Sequence, residues 1–133
     1  MEPWNEVPPE LADIFVVQHH EATALHRDLR LCMDSMLKSW AMLKEPPATK
    51  GSRRLARQVG DHDLSYHDFE GVIEEGWYGA GRVDMWDRGM YELLDHKDSK
   101  IVFQLAGDRL KGKYDLLRFK KAGENAWLFF KAE

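Results

Sequence analysis

The stretch His19–Leu31, HHEATALHRDLRL, sets the fold through its second half. On an extended chain alternate side chains share a face, so Leu25, Leu29 and Leu31 point one way while His26, Asp28 and Arg30 point the other. The apolar row belongs in a core. Imidazole, carboxylate and guanidinium then project together from the opposite face, and the same parity aligns Gln18 with His20 on the preceding run. With Glu21–Ala24 as the connection, the two polar rows meet.

The rest of the chain repeats this grammar. Short runs rich in β-branched and aromatic residues recur between turn signals at Phe15–Gln18, Leu25–Leu31, Leu37–Met42, Leu55–Val59, Gly81–Trp86, Met90–Leu94, Ile101–Leu105, Lys113–Phe119 and Trp127–Lys131. DRG at Asp87–Gly89, AGD at Ala106–Asp108 and AGEN at Ala122–Asn125 fall at hairpin distance between them. The stretch KEPPATKGS, with two prolines, reads as a linker. The expected fold is all-β: a small closed or nearly closed antiparallel β-barrel, which hides its edges. One or two short helices are expected around Pro9–Asp13 or Ser52–Arg57. A chain of 133 residues makes one domain, roughly two thirds of whose extended surface is buried on folding. Residues 1–14 read as an N-terminal arm and 15–133 as the barrel domain.

A single cysteine, Cys32, excludes an intramolecular disulfide, and no apolar run is long enough to cross a membrane, so a soluble, cytoplasmic monomer is expected. A formal charge of −4 does not mark the whole chain as a nucleic-acid binder. Its distribution is uneven, however: KGSRRLAR, Lys50–Arg57, carries four cations and no acid, whereas the following DHDLSYHDFEGVIEE is acidic. A local basic patch is therefore compatible with the composition, as is an ordinary solvated face.

Two histidines and a carboxylate converging from adjacent strands form a facial N,N,O set for a divalent transition metal such as manganese, iron, cobalt or zinc. His20, His26 and Asp28 are the candidate ligands. Arg30 cannot ligate a metal, but its forked donors suit an anionic oxygen beside one. His62 and Tyr66, in VGDHDLSYHDFEG, are candidates for proton transfer or phosphate binding, with Asp61 and His67 nearby. His19 has the wrong parity and reads as a surface imidazole, and Cys32 as a small buried hydrophobe. EGWYGAG, Glu75–Gly81, lacks the lysine and hydroxyl of a phosphate loop and reads as a tight turn. Trp40, Trp77, Trp86 and Trp127 read as core or rim packing.

FVVQHHEATALHRDLRLCMDSMLKSWAMLK and QVGDHDLSYHDFEGVIEEGWYGAGRVDMWDRGMYE resemble the two signatures of the 3′-phosphoesterase domain of bacterial DNA ligase D; LKGKYDLLRF and NAWLFFK resemble its closing strands. The resemblance runs from about Phe15 to Lys131. It implies a small β-barrel hydrolase, manganese-dependent, with cobalt or zinc as alternatives, that heals 3′ ends in DNA repair and non-homologous end joining. Such an enzyme removes a terminal ribonucleoside by a phosphodiesterase step and the remaining 3′-phosphate by a monoesterase step, leaving a 3′-OH. By motif position the resemblance implies His20, His26 and Asp28 as metal ligands and Arg30, His62 and Tyr66 as catalytic and phosphate-binding groups. Gln18, Lys44 and Arg54 are implied as supporting phosphate contacts. The implied partners are the 3′ ends of DNA or RNA-terminated DNA primer-templates, and a ligase or polymerase of an end-joining system acting in trans. The chain departs from the family at His19 (usually lysine), Cys32 (usually glutamate) and Gly60 (usually an acid), and of the family's functional arm only Glu2–Pro3 corresponds.

Two rivals remain at this stage. A non-haem iron oxygenase also uses a His-x-Asp pair, with His62 or His96 as its distal histidine, although such enzymes generally need a longer chain. A non-catalytic nucleic-acid-binding barrel would make the histidines incidental.

Overall fold

The alternation at Leu25–Leu31 lies inside a strand of a computed structural model that describes residues 7–133; Glu2–Pro3 and the rest of residues 1–6 lie outside the described residues. Strands β1 (Ile14–Glu21) and β2 (Leu25–Met33) form an antiparallel pair joined at Ala22–Ala24. Then follow β3 (Met36–Met42), β4 (Arg53–Asp63), β5 (Gly71–Ile73), β6 (Gly81–Lys97), β7 (Lys100–Gly107), β8 (Lys111–Arg118) and β9 (Ala126–Lys131). The sheet order is β1-β2-β3-β4-β9-β8-β7-β6, and β1 pairs back onto β6. Eight antiparallel strands thus close into a barrel with no free edge among them. The short β5 lies outside the circuit, paired to the start of β6.

Inside the barrel, Phe15 and Val17 from β1, Leu29 and Leu31 from β2, and Trp40, Phe103, Tyr114 and Phe129 from the other strands form one apolar core. Trp40 and Trp127 meet edge to face with centroids 6.1 Å apart, the arrangement that ring quadrupoles favour. The linker is not loose: Pro46 and Pro47 are buried, and Tyr114 donates its hydroxyl to the Pro47 carbonyl at 2.7 Å. Burial pushes the Tyr114 phenol up to about 12, so it stays a donor at neutral pH.

A second cluster occupies the outside of β1–β3. Leu11, Ile14, Val16, Cys32, Leu37 and Leu64 pack there, so the outward face near the 3-10 turn Leu64–Asp68 is roofed rather than solvated. That roof is what buries a polar row projecting away from the barrel core.

The short helix expected around Pro9–Asp13 is the 3-10 turn Pro9–Leu11; with the 3-10 turns Leu64–Asp68 and Lys120–Ala122 it makes up the helical content of the described residues, which hold no α-helix. Two expectations are corrected. The helix expected at Ser52–Arg57 is instead the start of β4, paired with β9 from Arg53 to Arg57, with Ala56 in the core. Cross-strand pairing outweighs the local preference of an arginine-rich segment. Asp87–Gly89 is not a hairpin turn but lies within the long β6, paired with β1 on one side. Gly89 is required by close approach, since a Cβ there would lie 2.2 Å from the Ala106 carbonyl oxygen.

Asp87 itself serves the neighbouring hairpin. Its buried carboxylate accepts from the amides of Arg88 (2.9 Å), Asp108 (2.9 Å) and Leu110 (2.8 Å), tying β6 to the β7–β8 turn. Asp87→Ala leaves one buried and two part-buried amides without their acceptor, and an expected loss of about 3 kcal/mol in urea unfolding follows. A loss below about 1 kcal/mol would mean that the turn is held by its own backbone.

Candidate metal and phosphate site

The register between strands assembles the polar row. His20 lies opposite His26 and Gln18 opposite Asp28 across β1–β2, while Arg30 lies opposite Ser39 across β2–β3. All share the outward parity. His20, Asp28 and Arg30 are nonetheless buried, and Gln18 and Ser39 are fully so, because the second cluster covers them.

One ligand atom from each of His20, His26 and Asp28 lies within 4.8 Å of the others. Backbone carbonyls decide which imidazole nitrogens face inward. The Nε2–H of His20 donates to the Gly79 carbonyl at 2.7 Å, and the Nδ1–H of His26 donates to the Ala24 carbonyl at 3.0 Å. A carbonyl can only accept, so each ring carries a proton on its outward nitrogen, and the other nitrogen faces Asp28, able to share a proton with the carboxylate or to ligate a metal. The inward His20 Nδ1 stands 3.8 Å from Asp28 Oδ2, and His26 Nε2 stands 3.3 Å from it. Gly79 has φ of +78°, a left-handed conformation suited to glycine, so the EGWYGAG turn serves to deliver that carbonyl.

Burial pushes the Asp28 carboxyl up, but His26, Arg30 and His20 together outweigh it and hold it below the usual carboxylate range. The bond to Asp28 in turn raises His26, against the opposing effect of burial. Two nitrogens and one anionic oxygen with outward-fixed second contacts can hold a divalent metal ion.

Arg30 is fixed by four partners. Its Nε donates to Gln18 Oε1 (2.6 Å), its Nη1 to Ser39 Oγ (2.8 Å) and to His62 Nδ1 (3.1 Å), and its Nη2 to Asp28 Oδ2 (3.3 Å). A guanidinium has five N–H groups, so one on Nη2 is left for another acceptor. Gln18 spends its amide on the carbonyls of Tyr66 (3.2 Å) and Phe69 (3.1 Å), which pins the roof to the barrel while its oxygen orients Arg30.

A bulge brings in His62. Leu37 pairs with His62 and Ser39 with Val59, so β4 carries one more residue than β3 over this span. Without that extra residue Asp61 would face the site. Asp61 instead pairs with Lys38 at 3.0 Å. His62 Nδ1 also lies 3.2 Å from the Gly60 carbonyl, but it cannot donate there while accepting from the permanently charged Arg30. The bond from Arg30 fixes the neutral tautomer with its proton on Nε2. Burial first and Arg30 second lower the His62 pKa, which keeps the ring neutral. Tyr66 completes the cluster, its ring 5.1 Å from the Arg30 guanidinium and 5.2 Å from His62, stacked on Phe69.

Lys44 and Arg54 are not in this cluster. They line a groove of about 720 Å³ that opens beside His26, with Arg54 Nε donating to the Glu45 carbonyl at 2.7 Å. His67 turns to Arg88, and His96 is exposed near the far end of β6. The second histidine beside the His26-x-Asp28 pair is therefore His20. His19 is half-buried with its Nε2 enclosed, not a surface imidazole. Trp40 and Trp127 are core, whereas Trp77 is 70% exposed and belongs to neither apolar cluster. Ser39 and Gly79 escaped the sequence reading. Ser39 shares the parity of Arg30 one strand over, a signal available in principle; the Gly79 contact depends on a loop 59 residues from His20 and had none.

Fold and site together define a class: a closed antiparallel barrel whose roofed outer face gathers two histidines and a carboxylate that could hold a metal ion, beside a buried arginine. Residues 18–118 match the model of the DNA ligase D 3′-phosphoesterase domain. The chain is 43% identical over 125 residues to the multifunctional non-homologous end joining protein LigD of Pseudomonas aeruginosa, covering 90% of this chain and 15% of that protein. It is 41% identical over 127 residues to the protein of the same name from Mycolicibacterium smegmatis, covering 87% and 16%. With the multifunctional non-homologous end joining DNA repair protein LigD of Mycobacterium tuberculosis it shares 41% over 108 residues, covering 78% and 14%. The chain belongs to the DNA ligase D 3′-phosphoesterase domain family, and spans only 14–16% of the length of these relatives.

Proposed function

We propose that this chain is a metal-dependent phosphoesterase that heals nucleic acid 3′ ends for end joining, removing a terminal ribonucleoside and then the 3′-phosphate to leave a 3′-OH. The observation that carries the reading is the convergence of three ligand atoms beside the unassigned N–H of Arg30, in a chain of this family. His20, His26 and Asp28 would hold the ion, Mn2+ by preference with Co2+ or Zn2+ as substitutes; when bound it supplies Lewis-acid polarisation of the phosphate. Arg30 binds the non-bridging oxygens as charge gathers on them, in a buried setting where a charged donor is strong. Lys44 and Arg54 stand back from the reacting atoms and hold the flanking strand. The substrate is a DNA or RNA-terminated primer-template end in the cytoplasm, and a ligase or polymerase uses the healed end in trans.

The neutral tautomer of His62 favours one of its two available roles. An Nε2–H that persists at neutral pH makes it a donor that anchors the phosphate, beside Tyr66, rather than an imidazolium acid. His62→Ala is expected to lower kcat/KM on the order of 10²-fold. In the wild-type protein the His62 ring should titrate by NMR with a midpoint below 6.5. The sign follows from a depressed pKa: the stability linked to this ring is present above 6.5 and lost as the pH falls toward its folded value. A midpoint above 6.5 would remove the anchoring role.

The test of the whole reading is a labelled DNA primer-template ending in one ribonucleotide, incubated with Mn2+, Co2+ or Zn2+, with 3′-phosphate and 3′-OH products resolved. Stepwise appearance of both products, abolished by chelator, is expected. No product with any of the three metals would overturn it.

A further inference from the structure

The groove beside His26 has a chemistry that a metal and one phosphate do not require. By the alternation that puts Ala56 in the core, β4 presents Arg53, Leu55, Arg57 and Val59 outward, cation and aliphatic in turn. At ~3.3 Å per residue, Arg53 and Arg57 stand ~13 Å apart along it. Leu55 faces Leu128 on β9, and Leu43 stands at the end of β3; Leu43 is 69% exposed and Leu55 42%. Leucines left this open between arginines have no role in the barrel core.

The cations are held by neutral groups. Arg57 Nη1 donates to the Ala122 carbonyl (3.0 Å) and Asn125 Oδ1 (3.1 Å), and Arg53 lies 5.0 Å over the Phe130 ring. None of Lys44, Arg53, Arg54 and Arg57 has an ion pair among the described residues, while ten other pairs are formed elsewhere. Carbonyls and rings fix a guanidinium without cancelling its charge, so the groove keeps a positive potential on a chain whose net charge is −4. Alternating charge and apolar surface match a ligand that alternates phosphate with sugar and base.

We propose that the outer face of β3–β4–β9 is the track for the strand that is kept. The nucleotides on the 5′ side of the scissile phosphate lie along it, phosphates on Arg53 and Arg57, sugars and bases on Leu43 and Leu55, so that the 3′ end arrives at His26. The proposal rests on the 3′-end reading above. Asn125, the one side-chain amide lining the groove, is held by Arg57 at its oxygen and spends one of its two N–H groups on the Gln58 carbonyl at 3.3 Å. Cations and aliphatic side chains make up most of the lining, and these contact backbone and apolar surface without reading base edges, so the track should depend little on sequence.

The experiment compares wild type with Leu43→Ala/Leu55→Ala and with Arg53→Gln, each checked for a native circular dichroism spectrum and melting transition. Turnover of a 3′-ribonucleotide-terminated oligonucleotide is measured against that of bis(p-nitrophenyl) phosphate with Mn2+, and binding of a fluorescent 12-mer by anisotropy over a salt series. In both variants the ratio of kcat/KM for oligonucleotide over small diester should fall about tenfold, mainly through KM. Arg53→Gln should also reduce the slope of log K against log salt by about 0.7, the value for one phosphate contact to a single strand. An unchanged ratio with unchanged 12-mer binding overturns the track. If wild type hydrolyses neither substrate, the 3′-end reading fails instead, and the track stands or falls on the 12-mer binding and its salt slope alone.

Discussion

Asp28→Asn is expected to abolish specific metal binding and to reduce turnover on the order of 10³-fold. The size follows from position. Oδ2 of Asp28 is the point where both candidate histidine ligands and Arg30 meet, at 3.3–3.8 Å, so losing its charge removes the anionic ligand and unbalances the cations around it. A Lewis acid supplies several kcal/mol of transition-state stabilisation, and each ~1.4 kcal/mol is tenfold in rate. The metal-free fold should suffer too, since Arg30 is left buried without its counter-ion, at a cost of about 3 kcal/mol. Isothermal titration with Mn2+, single-turnover kinetics and urea unfolding read the three effects separately. Asp61→Asn is the contrast: its pair with Lys38 is partly solvated, and its loss should change stability by less than about 1 kcal/mol. Because the folded state holds the Asp28 carboxyl below 3.8, its stabilising effect is present above that value and lost as the pH falls through its folded pKa. Retention of stoichiometric Mn2+ binding by Asp28→Asn would move the metal elsewhere.

The barrel and the triad were legible in the sequence for one shared reason. A period of two is the same signal whether it hides leucines or aligns histidines, so Leu29 and Leu31 located the core while His26, Asp28 and Arg30 marked the polar cluster that forms the candidate site. What alternation cannot carry is the surroundings of a face. Leu25 has the parity of the core yet is 44% exposed, because the strand end runs past the barrel rim. Gln18 and Arg30 have the parity of a solvated face yet are buried, because a segment some 35–50 residues downstream folds over them. Turn chemistry misled in the same way. Asp34 and Ser35, both with positive φ, make the β2–β3 hairpin without the glycine that advertises such a turn. Asp87–Gly89 has turn residues but uses them for a carboxylate cap and a close backbone approach within β6. The bulge that selects His62 over Asp61 lies beyond any local pattern, since it is defined only by the pairing of β4 with β3. Residue chemistry made His62 and Tyr66 candidates with Asp61 and His67 nearby, the resemblance singled out His62 and Tyr66, and the geometry places both rings against Arg30.

Arg30→Lys is expected to cost 10²–10³-fold in kcat/KM, the range for losing a donor aimed at developing negative charge. Lysine keeps the charge, so the loss measures the fork. The guanidinium spends four N–H groups on Gln18, Ser39, His62 and Asp28, and these bonds hold it in one orientation with one N–H remaining. An ammonium has three donors on a flexible stem and cannot satisfy four acceptors and a phosphate together. Gln18 Oε1 and Ser39 Oγ then compete for it in a buried space, and His62 Nδ1 loses the donor that fixes its tautomer. The substitution should therefore disturb two phosphate contacts, with the fall in kcat exceeding the rise in KM, because an unfixed donor is lost chiefly where charge accumulates. Unfolding stability should drop by about 2 kcal/mol from the acceptors left unpaired. Ser39→Ala separates the parts: it removes one support for the fork but neither the charge nor the free N–H, and should lower kcat by no more than about tenfold. If Arg30→Lys turned over at the wild-type rate, the arginine would be acting as a point charge, and the hydrogen-bonded fork would be a structural brace between β1, β2, β3 and β4 with no part in the reaction.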